Sequence, residues 1–192
     1  MRSEDFILAS SSAIRIAILD KYSIPFKHLR PTCNEDKLKE DNRHLSPSDL
    51  STFLAKEKAL SISKEHQDAL VLGCDQICLF NTKIFEKPGT RDNAINNLKE
   101  LRSNEHFLIG SYVFVKNDEV ISSKLIKTSM IMRNLTDQEI NAYVDEDRPF
   151  SSCGSYMFEK NGYKLFKETN GSLEAINGLP FNLLKETINE HL

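Results

Sequence analysis

The chain has 192 residues, 40% of them hydrophobic and 28% charged, and its formal net charge is -3. This length suffices for one globular core and is short for two full domains, so we expect residues 1–192 to form a single domain, with two lobes at most. Scattered basic residues and an acidic net charge argue against a nucleic-acid polymer as the main ligand, and the lack of an apolar run of about 18 residues argues against a membrane span.

The first 12 residues and the four cysteines indicate the compartment. The amino-terminal segment lacks the basic start and long apolar stretch of a secretory leader, so the cytoplasm is the expected location. Cys33, Cys74, Cys78 and Cys153 show neither CxxC spacing nor a cluster with histidine. We therefore expect free thiols rather than zinc ligands or disulfides.

The order of predicted strands and helices in the first half of the chain is typical of an α/β fold. Residues 6–9 form a short apolar strand that ends in three serines, and a helix follows from residue 13 to about 22. Ser46 and Pro47 predict the start of a helix that runs to about residue 65. A buried strand covers residues 69–74, and residues 76–80 either continue it or pair after a kink at Gly73, with residues 84–85 as a short partner.

The second half alternates in the same way. Residues 91–103 predict a helix, and residues 107–116 and 120–132 predict a hairpin joined at Asn117-Asp118. Thr136 with Glu139 predicts a capping box at the start of another helix. Glycine-punctuated strands follow, and a last helix starts at about Pro180.

Several polar side chains stand where an apolar pattern would not place them. Ser10 and its two neighbours lie between a strand and a helix, where free backbone N–H groups can hold phosphate, although capped helices are common. Arg15 lies on the inward half of that helix and calls for an anionic partner. Lys58 either extends towards a cleft or turns to solvent. Asp75 interrupts a buried strand, which indicates a functional site or a paired buried acid.

Collected in chain order, these segments resemble the Maf family of nucleotide pyrophosphatases over nearly the whole chain. The matching segments are Leu8-Ala9-Ser10-Ser11-Ser12 with Arg15, Glu35, Leu54-Ala55 with Lys58-Ala59, Gly73-Cys74-Asp75-Gln76, Lys87-Pro88, Cys153-Gly154-Ser155-Tyr156 and Gly178-Leu179-Pro180. The resemblance implies an α/β fold shared with inosine-triphosphate pyrophosphatases, with a central mixed sheet, flanking helices and a cleft between two lobes. It further implies homodimers and hydrolysis of a nucleoside triphosphate between its α and β phosphates.

The resemblance also assigns roles by position. Asp75 corresponds to the acid that activates water, as general base or through a metal, and Glu35 to a second carboxylate near that metal. The phosphate-binding positions are Ser10, Arg15, Lys58 and Lys87. Positive groups around the phosphate oxygens, together with Mg²⁺ or Mn²⁺ on the two carboxylates, suit transfer at phosphorus.

Three positions bear on the base of the nucleotide. Where the dTTP/UTP-hydrolysing branch of the family has a second arginine, a threonine and a glutamine, this chain has Ile14, Gln76 and Glu159. The glutamine after the aspartate and the late glutamate are similar to the branch that acts on 7-methyl-GTP, although that branch carries an aromatic residue at the position of Ile14. A carboxylate suits the N1–H and N2–H donors of guanine and the positive charge of its methylated ring.

Two classes of function compete for this sequence. The first is an enzyme that removes modified nucleotides from the nucleotide pool, with 7-methyl-GTP or dTTP and UTP as its substrate. The second is a nucleotide-binding regulator of cell division or septum formation. The presence of both Glu35 and Asp75 favours the enzyme, because two carboxylates hinder the binding of a triphosphate unless a cation accompanies it.

Overall fold

The computed structural model describes residues 5–192, so the first four residues of the segment compared with a secretory leader lie outside the described residues. Within residues 5–192 the strands are β1 (Phe6–Ala9), β2 (Lys27–Leu29), β3 (Leu70–Phe80), β4 (Lys83–Phe85), β5 (Glu105–Lys116), β6 (Glu119–Met132) and β7 (Phe166–Asn170). The helices are α1 (Ala13–Asp20), α2 (Glu35–Asp41), α3 (Pro47–Ser63), α4 (Arg91–Leu101), α5 (Asp137–Asp147), α6 (Leu173–Ile176) and α7 (Phe181–His191). None of these helices is both long enough and apolar enough to cross a lipid bilayer.

The strands form one mixed sheet in the order β2-β1-β3-β5-β6-β7, with β4 paired to β3. Strand β1 runs parallel to β2 and β3, whereas β4 is antiparallel to β3 and β7 to β6. The prediction of an α/β fold with a central mixed sheet and flanking helices is therefore confirmed. Strand β3 is continuous through Gly73 and Asp75, which decides between the two alternatives for residues 69–80.

The chain divides into two compact units. The first unit comprises residues 1–75, 110–126 and 173–192, and the second comprises residues 76–109 and 127–172. Strands β3, β5 and β6 each contribute residues to both units. The predicted cleft between two lobes stays a prediction.

The first unit buries side chains on both faces of its strands, because successive residues of a strand point to opposite sides. On one face, Phe6 and Leu8 of β1 pack with apolar residues of α1 and α7. On the other face, Ile7 and Ala9 pack against the small residues of α3. This alternation makes the first unit a three-layered α/β arrangement.

The second unit is held together by α4, α5 and the segment after α5. The predicted capping box is present at Thr136 and Glu139. His106 is fully buried, and its Nε2 lies 2.9 Å from the hydroxyl oxygen of Tyr156. Burial lowers the pKa of His106 to about 4, so its ring is neutral at neutral pH.

Some element predictions were wrong. Helix α2 was not predicted, and most of the glycine-punctuated segment after α5 forms 3₁₀ turns at Cys153–Ser155 and Gly162–Leu165, with β7 as its one strand. Gly154 has a φ of 72°, and the side chain of Tyr156 and the sulfur of Cys78 fill the space beside it. Tertiary packing there favours a turn over the extended chain that the residue types suggested. The hairpin prediction was right, since Asn117 and Asp118 both have positive φ, as a two-residue turn of type I′ requires.

Gly73 brings β3 and α3 into contact. A side-chain carbon on Gly73 would lie 2.0 Å from the carbonyl oxygen of Ala55 and 2.9 Å from the Cβ of Ala59. Because the nearest atom belongs to the backbone of α3, no side-chain rotation can relieve this clash. Glycine at this position therefore sets the distance between α3 and the strand that carries Asp75.

We predict that Gly73→Ala lowers the free energy of unfolding by roughly 2–3 kcal/mol, because the added methyl group pushes α3 away from β3. The shift of the urea midpoint at an unchanged m-value measures this effect. Gly89→Ala is the control: Gly89 has a φ of 69° and open space around it, so only backbone strain of about 1 kcal/mol is expected. Equal effects of the two substitutions would contradict the packing argument.

Candidate active site

The centre of the candidate site is the ammonium group of Lys58, which lies between two carboxylates. Its Nζ donates to Oδ1 of Asp75 at 2.7 Å and lies 2.7 Å from Oε2 of Glu35. Oδ1 of Asp75 and Oε2 of Glu35 are therefore at most twice 2.7 Å apart. The side chain of Lys58 is only 12% exposed, so the alternative that it turns to solvent is wrong.

Asp75 occupies the place in β3 that the sequence analysis singled out. Its side chain is 7% exposed, and Cys74 before it in the strand is fully buried. An ionised carboxylate at such a depth needs a partner of opposite charge. Lys58 of α3 supplies that charge, so Asp75 is a paired buried acid, and its functional role stays a prediction.

Glu35 reaches the cluster from the first residue of α2, the helix that sequence analysis missed. The side chain of Asn34 caps this helix by accepting from the backbone N–H of Lys37. A second cation, Lys39, lies one turn later with its Nζ 3.2 Å from Oε1 of Glu35. Asn34 followed by two acids was the available sequence signal, because this order is typical of a helix start.

The electrostatics of the cluster favour the charged forms of Glu35 and Lys58. Burial raises the pKa of Glu35, but the ammonium groups of Lys58 and Lys39 outweigh that effect and lower it to about 2. Burial lowers the pKa of Lys58, but Asp75 and Glu35 together raise it above its ordinary value. Around neutral pH, Glu35 is therefore ionised and Lys58 is protonated.

The chemistry of these donors fits a divalent cation that brings some of its own ligands. Among residues 5–192 no cluster of three or more His, Cys, Asp or Glu side chains is suited to holding a metal alone. Mg²⁺ usually takes one or two carboxylates from the protein and fills its other positions with water and substrate phosphate. Glu35 and Asp75 are such a pair, and a cation between them would take the place of the ammonium of Lys58.

Ser10 and Arg15 lie where β1 passes into α1. Ser10 is buried, and its hydroxyl oxygen accepts from the backbone N–H of Ser12 at 3.1 Å. Ser12 is the N-cap residue, but no side chain caps α1, contrary to the expectation for these serines. The first-turn N–H groups of α1 thus lack a side-chain cap, as an anion-binding helix start requires.

Arg15 bonds to backbone carbonyls rather than to a carboxylate. Its Nε donates to the carbonyl oxygen of Gly178 at 2.9 Å, and its Nη1 donates to that of Cys74 at 3.1 Å. These two bonds tie the loop before α7 to the residue next to Asp75. A guanidinium has five N–H donors, so three are left for an anion.

The other candidate residues are distributed over the two units. Ile14, in the first unit, is half-buried against the core formed with α1 and α7. Gln76, Lys87 and Glu159 belong to the second unit. Gln76 is half-buried in β3, whereas Lys87 and Glu159 are exposed, in the segment after β4 and between the two 3₁₀ turns.

Comparison with known proteins gives consistent matches along the chain. A family model described as "Maf-like protein" matches residues 5–191. A protein of Legionella pneumophila (strain Philadelphia 1) named nucleoside triphosphate pyrophosphatase is 31% identical over 180 residues, which cover 94% of this chain and 90% of that protein. A protein of Aromatoleum aromaticum named 7-methyl-GTP pyrophosphatase is 35% identical over 191 residues, covering 98% and 96%. Among solved structures, the Ham1 protein of Staphylococcus aureus aligns with a TM-score of 0.46 at 14% identity, covering 97% of this chain and 99% of that one.

The low pKa of Glu35 predicts acid sensitivity of the cluster. Its pKa of about 2 in the folded protein lies below the ordinary value of 4.5, so its stabilising effect is complete above pH 4.5 and is lost as the pH falls through 2. Because the side chain is 31% exposed, we expect this effect to reach only about 2 kcal/mol. Thermal unfolding of the wild type and Glu35→Gln between pH 6 and 2 measures it, and a stability difference that does not shrink with acid would contradict the assignment.

The two carbonyl bonds of Arg15 predict a structural effect without nucleotide. Arg15→Lys keeps the charge but cannot reach both carbonyls, so we expect a loss of about 1–2 kcal/mol in the free energy of unfolding. Arg43→Lys, at an exposed arginine paired with Glu40, should change it by less than about 0.5 kcal/mol. Unchanged stability of the Arg15 variant in nucleotide-free buffer would mean that the carbonyl bonds contribute nothing.

Proposed function

Since the chain belongs to the Maf-like protein family, we propose that it acts as a nucleoside triphosphate pyrophosphatase whose preferred substrate is 7-methyl-GTP. The products are the nucleoside monophosphate and pyrophosphate. The observation that carries the proposal is the cluster of Lys58 with Glu35 and Asp75, in a chain that matches the family over residues 5–191.

Each of these residues of the first unit has a separate role in the proposed reaction. The carboxylate of Asp75 activates the attacking water, and Lys58 holds that carboxylate in position through the bond at 2.7 Å. The first turn of α1, with Ser10 beside it, and the three remaining N–H donors of Arg15 face the phosphates. Lys87, exposed in the second unit, is the remaining phosphate-binding position that the family resemblance assigns.

A divalent cation, Mg²⁺ or Mn²⁺, completes the proposal as the cofactor. Glu35 and Asp75 would hold it, since hard oxygen ligands suit these ions. When bound, such a cation neutralises phosphate charge and lowers the pKa of bound water. The protein's own contribution is to keep two carboxylates close together around one exchangeable ammonium group.

The choice of 7-methyl-GTP rests on Gln76 and Glu159. Both match the branch of the family that acts on this nucleotide, and a relative named for this activity is 35% identical over 191 residues. The exposed carboxylate of Glu159 can accept from the guanine edge and attract the positive charge of a methylated ring. The protein would then remove modified nucleotides from the nucleotide pool, as a homodimer if it follows the family resemblance.

The test compares wild type, Asp75→Asn and Glu159→Gln on 7-methyl-GTP, GTP, dTTP and UTP, with Mg²⁺ or Mn²⁺, by release of pyrophosphate and identification of the nucleotide product. We expect wild type to form 7-methyl-GMP fastest, and Asp75→Asn to lose at least about a hundredfold in kcat because its amide cannot activate water. Glu159→Gln should lower kcat/KM for 7-methyl-GTP about tenfold relative to UTP, because one charged hydrogen bond is lost. Glu168→Gln, at another exposed glutamate of the second unit, is the matched control.

Each alternative gives a different result in this assay. A preference for UTP or dTTP would retain the chemistry and overturn the role of Glu159. Tight binding of a triphosphate without any turnover, in wild type as in Asp75→Asn, would instead identify a nucleotide-binding regulator.

A further inference from the structure

Residues 119–128 of β6 leave one edge of the sheet open. Strand β6 lies beside β5, and on its other side β7 pairs with it only over Ser129–Met132. Within residues 5–192, no strand pairs with that outer edge over residues 119–128. The edge therefore presents unpaired N–H and C=O groups over about ten residues, a length that natural proteins usually cover or interrupt.

The same segment exposes apolar side chains. Val120 is 45% exposed, Ile121 36% and Leu125 47%. Ile121 and Leu125 are separated by four residues, so they point to the same face of the strand. An open edge that also carries exposed branched side chains is suited to pairing with another strand.

The sequence of this edge is complementary to itself, and we propose that a second copy of this chain pairs with it in antiparallel orientation, centred on Ser123. A two-fold axis at Ser123 places Ile121 opposite Leu125 and Val120 opposite Ile126 of the other copy. It also places Glu119 opposite Lys127 at both ends of the paired segment. In these three pairs, apolar side chains lie opposite apolar side chains, and the glutamate lies opposite the lysine.

Neighbouring registers lack this complementarity. A two-fold axis perpendicular to the sheet sets side chains of the same face opposite each other only if it passes through a residue position. Centring on Ser122 would set Val120 opposite Lys124, and centring on Lys124 would set Ile121 opposite Lys127. Of these three neighbouring centres, Ser123 is the one at which no apolar side chain opposes a lysine.

The two lysines of the segment do not block the edge. Lys124 donates from its Nζ to the carbonyl oxygen of Leu183 at 2.7 Å, so its side chain lies over α7. The Nζ of Lys127 lies 3.7 Å from the centre of the Phe107 ring, which leaves its N–H donors available for a carboxylate opposite. Lysines that face outward along an edge would have repelled a second strand.

Charge reversal with the full-length protein tests the register. Glu119→Lys alone and Lys127→Glu alone each place like charges opposite each other at both ends, so each should weaken the dimer about tenfold in Kd. An equimolar mixture of these two variants places opposite charges together again and should restore dimers. Sedimentation velocity over a concentration series measures all four states, including wild type, which we expect to be dimeric.

Two further variants separate this interface from general effects of charge. Leu125→Lys should give monomers at micromolar concentration, whereas Leu173→Lys, at another exposed leucine of the first unit, should leave the dimer intact. Ser123→Cys should form an intermolecular disulfide under mild oxidation, because the residue on the axis lies about 5 Å from itself in the other copy. Wild type treated in the same way controls for the four native cysteines.

The proposal is overturned if wild type is monomeric, if Leu125→Lys stays dimeric, or if the mixture of charge variants behaves like its components. It does not rest on the proposed hydrolysis. Pyrophosphate release measured on the same samples separates the two, since Asp75→Asn should be inactive and dimeric.

Discussion

Burial of the Asp75 carboxylate in β3 is the constraint on which the rest of the site depends. A carboxylate that is only 7% exposed needs a cation at hydrogen-bond distance, and Lys58 of α3 supplies it. That contact needs α3 to lie close to β3, which the glycine at position 73 and the alanines at 55 and 59 allow. The small residues and the charged residues of this region therefore belong to one arrangement.

The ion cluster is also suited to exchange with a charged ligand. Lys58 lies between two carboxylates, where the proposal places a divalent cation, and its Nζ lies 2.7 Å from both Glu35 and Asp75. In the proposed function, a bound triphosphate would offer the ammonium of Lys58 a new anionic partner and would leave the two carboxylates available to the cation. Arg15 bonds to the carbonyl of Cys74 beside Asp75, and in the proposal its remaining N–H donors bind phosphate.

Much of the fold followed from local sequence patterns. Strand β1, the capping box at Thr136 and Glu139, the hairpin turn at Asn117 and Asp118, and the start of α3 were predicted from local sequence patterns, and the structure confirms them. Helix α2 was missed because it is short and has no buried residue, so no apolar periodicity marks it. The 3₁₀ turns after α5 were predicted as strands, but Gly154 adopts a positive φ where Tyr156 and Cys78 of β3 fill the space beside it.

By itself, the sequence determined the α/β class, the family resemblance and the residue types of the site, because caps, alternation and ordered motifs are local properties of the chain. It also indicated that an acid at position 75 must be paired or functional. Only the tertiary structure decided that Lys58 is its partner, that Glu35 joins them from a missed helix, and that Arg15 bonds to two carbonyls. These contacts link residues from 17 to 163 positions apart, and such distances are set by how α3, β3 and α1 pack, which no local pattern encodes.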